Sequence, residues 1–167
     1  MGVLAERLDD MRVRVSAPGG RIVAELRGRA DVRLSFTPES YRYCDERELE
    51  RQLEGLGKLL WAGRTREYYA AASEAFGATI TGEPPAVSLR DQDFCSARDE
   101  LVAQGRSSDG RIHLAVRGMR IWTVRVADGT VRSLTEEEFA ARVSEAAGEL
   151  IRDQFAKIRV LKHRVYG

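Results

Sequence analysis

Arg12-Val13-Arg14-Val15-Ser16-Ala17-Pro18-Gly19-Gly20-Arg21-Ile22 decides how the rest of the chain is read. Val13 and Val15 alternate with Arg12, Arg14 and Ser16 in the two-residue rhythm of a half-buried strand, and Pro18-Gly19-Gly20 supplies a reversal. Ile22, Ala24 and Leu26 continue the alternation, Gly28 permits a second reversal, and Val32, Leu34 and Phe36 form a third run. Ahead of the strands Leu4, Leu8 and Met11 fall at helical spacing. After them Asp45 and Glu48 have capping-box spacing and open a helix striped by Leu49, Leu53, Leu56 and Leu60, then Tyr68, Ala72 and Phe76.

The same layout recurs 90 residues later without a gap. Gly20-Arg21-Ile22 falls on Gly110-Arg111-Ile112, Arg27-Gly28 on Arg117-Gly118, Glu46 on Glu136, Glu48 on Glu138 and Leu60 on Leu150. Phe94, Ala97 and Leu101 stand for the short helix. Ile112, Leu114 and Val116, then Trp122, Val124 and Val126, stand for two strands, and Thr135 with Glu138 opens a helix striped by Phe139, Val143, Ala146, Leu150, Ile158, Leu161 and Val165. Ala103 and Gly105 occupy the places of Val13 and Val15, so that strand is expected to be short, displaced or absent.

The fold class is therefore α+β: two units, each a short helix, a three-stranded antiparallel meander and a long C-terminal helix. Unit one covers residues 1–77 and unit two residues 91–167. Gly77 to Pro85, with Gly82 and Pro84-Pro85, reads as linker, extended to residues 78–90. Helices of some 26 to 30 residues span about 40–45 Å, whereas five- to seven-residue strands span about 17–24 Å. The helices must overhang their sheets. Their distal apolar turns, with Trp61, Tyr68, Phe76, Phe155 and Ile158, are expected to pack on each other, on a second chain or on a client, and are the candidate assembly residues.

A Gly-rich turn, a basic meander and a long helix with an acidic start resemble the YbaB/EbfC family of small bacterial nucleoid-associated proteins. Arg12 to Gly20, followed by Val32-Arg33-Leu34 and a helix opening at Asp45, carries the likeness in unit one; Arg106 to about Ile158 carries it in unit two. The resemblance implies a sheet-joined pair of units with projecting helices, here fused as a pseudo-dimer or assembling further, and it implies DNA as a partner. Similar folds in accessory factors of type VII secretion imply the alternative: a protein-binding scaffold or chaperone-like factor gripping a client through the distal helix turns.

The 167 residues carry 43% hydrophobic and 32% charged residues and a net charge of +1, a composition that excludes disordered and disulfide-scaffold classes. No run of about 18 apolar residues offers a membrane span, and the early charges at Glu6 and Arg7 do not suit a signal peptide, so the expected location is the cytoplasm. The charge is segregated. Arg12, Arg14, Arg21, Arg27 and Arg33 share the face opposite the apolar one in unit one, and Arg111, Arg117 and Arg125 do so in unit two. These eight are the candidate DNA-binding residues; the competing reading is a solvated face paired with the acidic helix starts. The basic stretch Arg152 to Arg164 suits a helix C-terminus or a DNA-contacting arm.

Nothing in the pattern points to catalysis. Cys44 and Cys95 hold non-equivalent places without CxxC spacing, His113 and His163 lack companions at metal spacing, and GxSxG, GxxxxGK and GxGxxG are absent. The expectation is a binding protein without enzymatic activity, cofactor or metal.

Overall fold

A computed structural model describes residues 2–167. In chain order it comprises α1 (Val3–Asp9), β1 (Arg12–Ser16), β2 (Ile22–Arg27), β3 (Asp31–Phe36), α2 (Glu46–Phe76), α3 (Leu89–Glu100), β4 (Val102–Arg106), β5 (Ile112–Arg117), β6 (Ile121–Val126), α4 (Thr130–Ser133) and α5 (Glu136–Tyr166). The strands form two three-stranded antiparallel sheets in the orders β1-β2-β3 and β4-β5-β6. A 3₁₀ turn at Tyr41–Tyr43 and the short α4, neither evident from periodicity, sit between meander and long helix.

The duplication extends to hydrogen bonds. Every cross-strand pair of the first sheet maps onto one of the second at the same 90-residue offset, Val13↔Leu26 onto Ala103↔Val116 and Leu34↔Ala24 onto Val124↔Leu114. Gly28 N donates to Met11 O at 2.7 Å, and Gly118 N donates to Leu101 O at 2.9 Å; both glycines have φ of 59°, a left-handed conformation that a glycine adopts without steric cost. The long helices match residue for residue, and each has 31 residues. Asp45 accepts the Glu48 amide at 2.8 Å, and Thr135 with Glu138 forms a reciprocal capping box. The front ends match less closely: α3 is longer than α1 and opens at Leu89, capped by Ser88, inside the stretch expected to be linker.

Each long helix packs on its own sheet and reaches the other. α2 lies against β1 and β2 and against β6; α5 lies against β4 and β5 and against β3. Going round the molecule, the order is β1-β2-β3, α5, β4-β5-β6, α2, so the helices close the two seams between sheets. The apolar alternate residues of all six strands point into one interior, where Ile22, Leu26, Leu49, Leu56, Ile112, Val116, Phe139 and Leu150 are essentially sealed from water. At the centre, Leu34, Leu53, Leu60, Trp122, Val124 and Leu150 help to line an apolar cavity of about 70 Å³. The two units thus share one core and stabilise each other chiefly by burial of apolar surface.

β4 is a full strand, contrary to the expectation drawn from Ala103 and Gly105. The small residues are there because α5 approaches this strand at backbone distance: Ala103 is fully buried, and a Cβ on Gly105 would lie 2.0 Å from Ala146 O. The overhanging helix turns are also partly covered from within. α1 packs on α2, with Arg7 paired to Glu74 at 2.5 Å, and α3 packs on α5, with the Phe94 and Tyr166 rings 5.8 Å apart.

Candidate functional site

The outward residues of each sheet form a three-by-three grid set by strand register. On the first sheet the rows are Arg12/Arg27/Asp31, Arg14/Glu25/Arg33 and Ser16/Val23/Ser35. The structure brings Arg12, Arg14, Arg27 and Arg33 onto one face, with Arg21 exposed at the mouth of β2. Glu25 stands in their midst. It accepts from Arg27 Nε, lies 3.7 Å from Arg14, and its carboxyl is held below the usual range chiefly by the Arg27 hydrogen bond. Asp31 holds Arg33 at 3.4 Å. Two carboxylates therefore offset half of the charge of four guanidinium groups on this face.

The second sheet differs. Its rows are Val102/Arg117/Ile121, Gln104/Ala115/Thr123 and Arg106/His113/Arg125, with no carboxylate in any of the nine places. Among the described residues Arg106 and Arg125 make no ion pair, and Arg117 reaches only Glu100, 3.9 Å away at the margin. His113 lies between Arg106 and Arg125, its Nε2 3.1 Å from Gln104 Oε1. Its pKa is lowered by partial burial and then by those two guanidinium charges. Arg111 and Arg47 reach the same shallow depression, but each is engaged: Arg111 with Asp109 at 3.7 Å, Arg47 with Asp128 at 2.8 Å and Glu50 at 3.1 Å.

Sequence parity places Arg12, Arg14, Arg27, Arg33, Arg117 and Arg125 on the outer faces where the structure has them; it leaves out Arg106, whose strand was in doubt, and His113, which was weighed only as a metal ligand. The available signal was parity: positions 102, 104 and 106 share a face once β4 is accepted.

The candidate assembly residues occupy different settings. Trp61 and Phe155 come together around Arg64, whose guanidinium lies 4.6 Å and 5.2 Å from their ring centroids. Burial pushes the Arg64 pKa down. Tyr68 and Ile158 are half-buried, whereas Phe76, at 69% exposure, points away from the core.

A second feature of the fold concerns sheet edges. Glu54 accepts from Val124 N at 3.3 Å, Glu50 from Val126 N at 2.8 Å and Glu46 from Val131 N at 3.1 Å, so one acidic stripe of α2 caps the free amides of β6 and the residues after it. On the opposite edge, Asp153 of α5 accepts from Gln104 N and Lys157 donates to Val102 O, both at 2.9 Å. Both edges of the second sheet are closed by charged side chains, a common defence of an edge strand. At the positions facing the first sheet, Glu50, Glu54 and Asp153 are replaced by Ala140, Ser144 and Gly63, whereas Glu46 and Lys157 are matched by Glu136 and Glu67, and among the described residues none of these five bonds an edge of the first sheet.

Among the described residues no group of three metal-ligating side chains converges, and no helix is long and apolar enough to cross a membrane. No protein-family model matches the chain, and no curated protein or solved structure matches it significantly.

Proposed function

We propose that this chain is a non-enzymatic binding protein, a fused pseudo-dimer of the YbaB/EbfC kind, that holds nucleic-acid backbone on the outer face of its second sheet. The observation that carries the reading is the cross-strand row Arg106-His113-Arg125, cationic and free of carboxylate on a face whose other places hold Arg117, the polar Gln104 and Thr123, Ala115, and the apolar Val102 and Ile121. Neighbouring strands lie about 4.8 Å apart, so Arg106 and Arg125 stand on either side of His113 about 10 Å apart and can reach separate phosphates. Planar guanidinium groups donate to phosphate oxygens in pairs. An open sheet face with flexible arginines is suited to backbone contact, so the binding is nonspecific and driven by counterion release.

The experiment is a salt-series anisotropy titration of the full chain against a labelled duplex. Affinity falls with salt at a log–log slope of about −0.9 per phosphate neutralised. Arg106→Ala and Arg125→Ala each reduce that slope by about 1, whereas Arg14→Ala and Arg33→Ala, on the neutralised first sheet, leave it nearly unchanged. Absence of binding at about 50 mM salt, where such contacts are strong, overturns the reading.

A further inference from the structure

Where α2 and α5 leave the sheets, a cleft of about 490 Å³ lies between α5, the C-terminal end of α3 and the β5–β6 turn, and Trp61 reaches it from α2. Its volume is that of a small-molecule site, about 300–1,000 Å³. Trp61, Met119, Phe155 and Ile158 supply apolar walls, and the Arg64 guanidinium braces the Trp61 and Phe155 rings. Among them stands Gln154, 4% exposed, whose side chain makes no hydrogen bond among the described residues; its Oε1 is buried without a partner. An unpaired buried amide is a cost to the fold. Its last torsion is a broad two-fold well, so a turn of the amide presents either its acceptor or its donor to the cleft.

The repeat shows that the shared core does not demand this arrangement. The places of Trp61, Met119, Gln154 and Phe155 are taken on the other seam by Ile151, Arg29, Arg64 and Thr65. Met119 is one of two non-glycine residues with a left-handed backbone among the described residues, at φ of 56°, and its side chain is buried. Arg29, in the matching turn, lies outside that region and pairs with Asp9 at 2.7 Å. Strained residues cluster at ligand sites, and here the strained turn places a methionine in the cleft wall.

We infer that the cleft binds an uncharged planar heterocycle of the nucleobase kind, in the form of a nucleoside, its ring between the apolar walls and its polar edge on the Gln154 amide. Base faces stack on aromatic side chains. A primary amide carries a donor beside an acceptor and so matches a base edge that does the same, as adenine does with its amino group and ring nitrogen. Charge favours a neutral ligand: Arg98 and Arg120 at the rim are balanced by Asp99, 3.6 Å from Arg98, and by Glu83, which also pairs with Arg98. The cleft lies at the end of the second sheet away from the Arg106-His113-Arg125 row, so either inference can fail without the other.

Adenosine is the probe, titrated into the full chain and read by NMR on the Met119 methyl and the Trp61 indole N–H. Both signals shift and saturate, with an affinity unchanged between about 50 and about 500 mM salt, because an uncharged ligand releases no counterions. A phenyl riboside, which keeps the sugar and a flat ring but lacks the polar edge, binds about tenfold more weakly or worse. Gln154→Leu, apolar and of similar size, abolishes that difference by weakening adenosine alone. The comparison of the two ligands on the parent chain stands whether or not that variant folds. No saturable shift at about 5 mM adenosine, equal binding of the phenyl riboside, or shifts confined to the outer face of the second sheet would each overturn the inference.

Discussion

Gly105 and Ala146 touch backbone to backbone: a Cβ on the glycine would lie 2.0 Å from the alanine carbonyl oxygen and 2.6 Å from Leu150 N. The close approach lets α5 lie flat on β4 and brings Asp153 to the Gln104 amide. Gly105→Ala therefore meets two backbone atoms instead of a flexible side chain and separates the helix from the strand. The expected loss is about 3 kcal/mol or more, at or above the upper end of overpacking, measured by urea unfolding. Val15→Ala, at the equivalent but roomier position of β1, costs about 1–2 kcal/mol.

The acidic stripe of α2 gives a second expectation. Glu50→Ala removes the acceptor from Val126 N and the partner of Arg47 together, leaving a partly buried amide unpaired. A cost of about 1–3 kcal/mol follows. Glu50→Gln keeps an acceptor oxygen and recovers most of it. If alanine and glutamine variants melt together, the edge hydrogen bond contributes nothing and the cap is incidental.

Much of this fold was legible in the sequence because strand alternation, turn glycines and capping residues are local signals, and a gapless repeat doubles each of them. Arg12, Arg14, Arg27 and Arg33 do share a face, as their parity requires. The edge caps were not legible. Glu46, Glu50 and Glu54 look like helix-start charges, and nothing at i, i+4 spacing announces that their partners are amides of β6 and α4, 70 to 85 residues onward. Glu25, whose parity places it among those arginines, is the carboxylate that a search for cationic faces passes over. Gly105 was misread for a related reason: a small residue in a strand pattern signals either a weak strand or a close neighbour, and only the packing of α5 distinguishes them.

If the second sheet holds phosphate as proposed, His113 makes that binding pH-dependent. Its pKa is depressed in the free protein by burial and by Arg106 and Arg125, so near neutrality the ring is neutral. The depression also means that the folded chain binds fewer protons than the unfolded one. Its stabilising contribution is present above the ordinary histidine pKa and is lost as pH falls from there through the depressed folded value. A phosphate beside the ring favours the charged form, so affinity for duplex DNA rises several-fold between about pH 8 and about pH 6. His113→Asn flattens that profile and leaves the binding at high pH nearly unchanged. An identical pH profile for the variant would place the anion elsewhere.

Acid stability should depend on the Ser108 turn. The Glu145 carboxyl is held below its ordinary range by the Ser108 amide first, and further by the Ser108 hydroxyl and Arg142. A depressed carboxyl stabilises the fold fully above its unfolded pKa and loses that contribution as pH falls through the folded one. Thermal melts from about pH 7 to about pH 3 therefore fall less steeply for Glu145→Gln than for the parent chain. The variant begins from a lower melting temperature at neutral pH, because a neutral amide is a weaker acceptor than a carboxylate.

The core interface between units offers a compensating pair. Trp122 of β6 packs on Gly57 of α2, where a Cβ would lie 2.8 Å from the indole ring, while the equivalent positions on the other seam, Val32 and Ala147, line the same central cavity. A large strand residue on a bare helix position is thus matched across the molecule by a smaller one on alanine. Gly57→Ala alone presses on the ring and costs about 1–3 kcal/mol despite its gain in helix propensity. Trp122→Val alone removes a large, partly buried ring beside an existing cavity and costs about 2–3 kcal/mol. The double variant reproduces the Val32–Ala147 arrangement, so its cost falls below the sum of the two by about 1–2 kcal/mol in a double-mutant cycle. Strict additivity would mean that the two seams, although built from the same repeat, are not interchangeable in their packing.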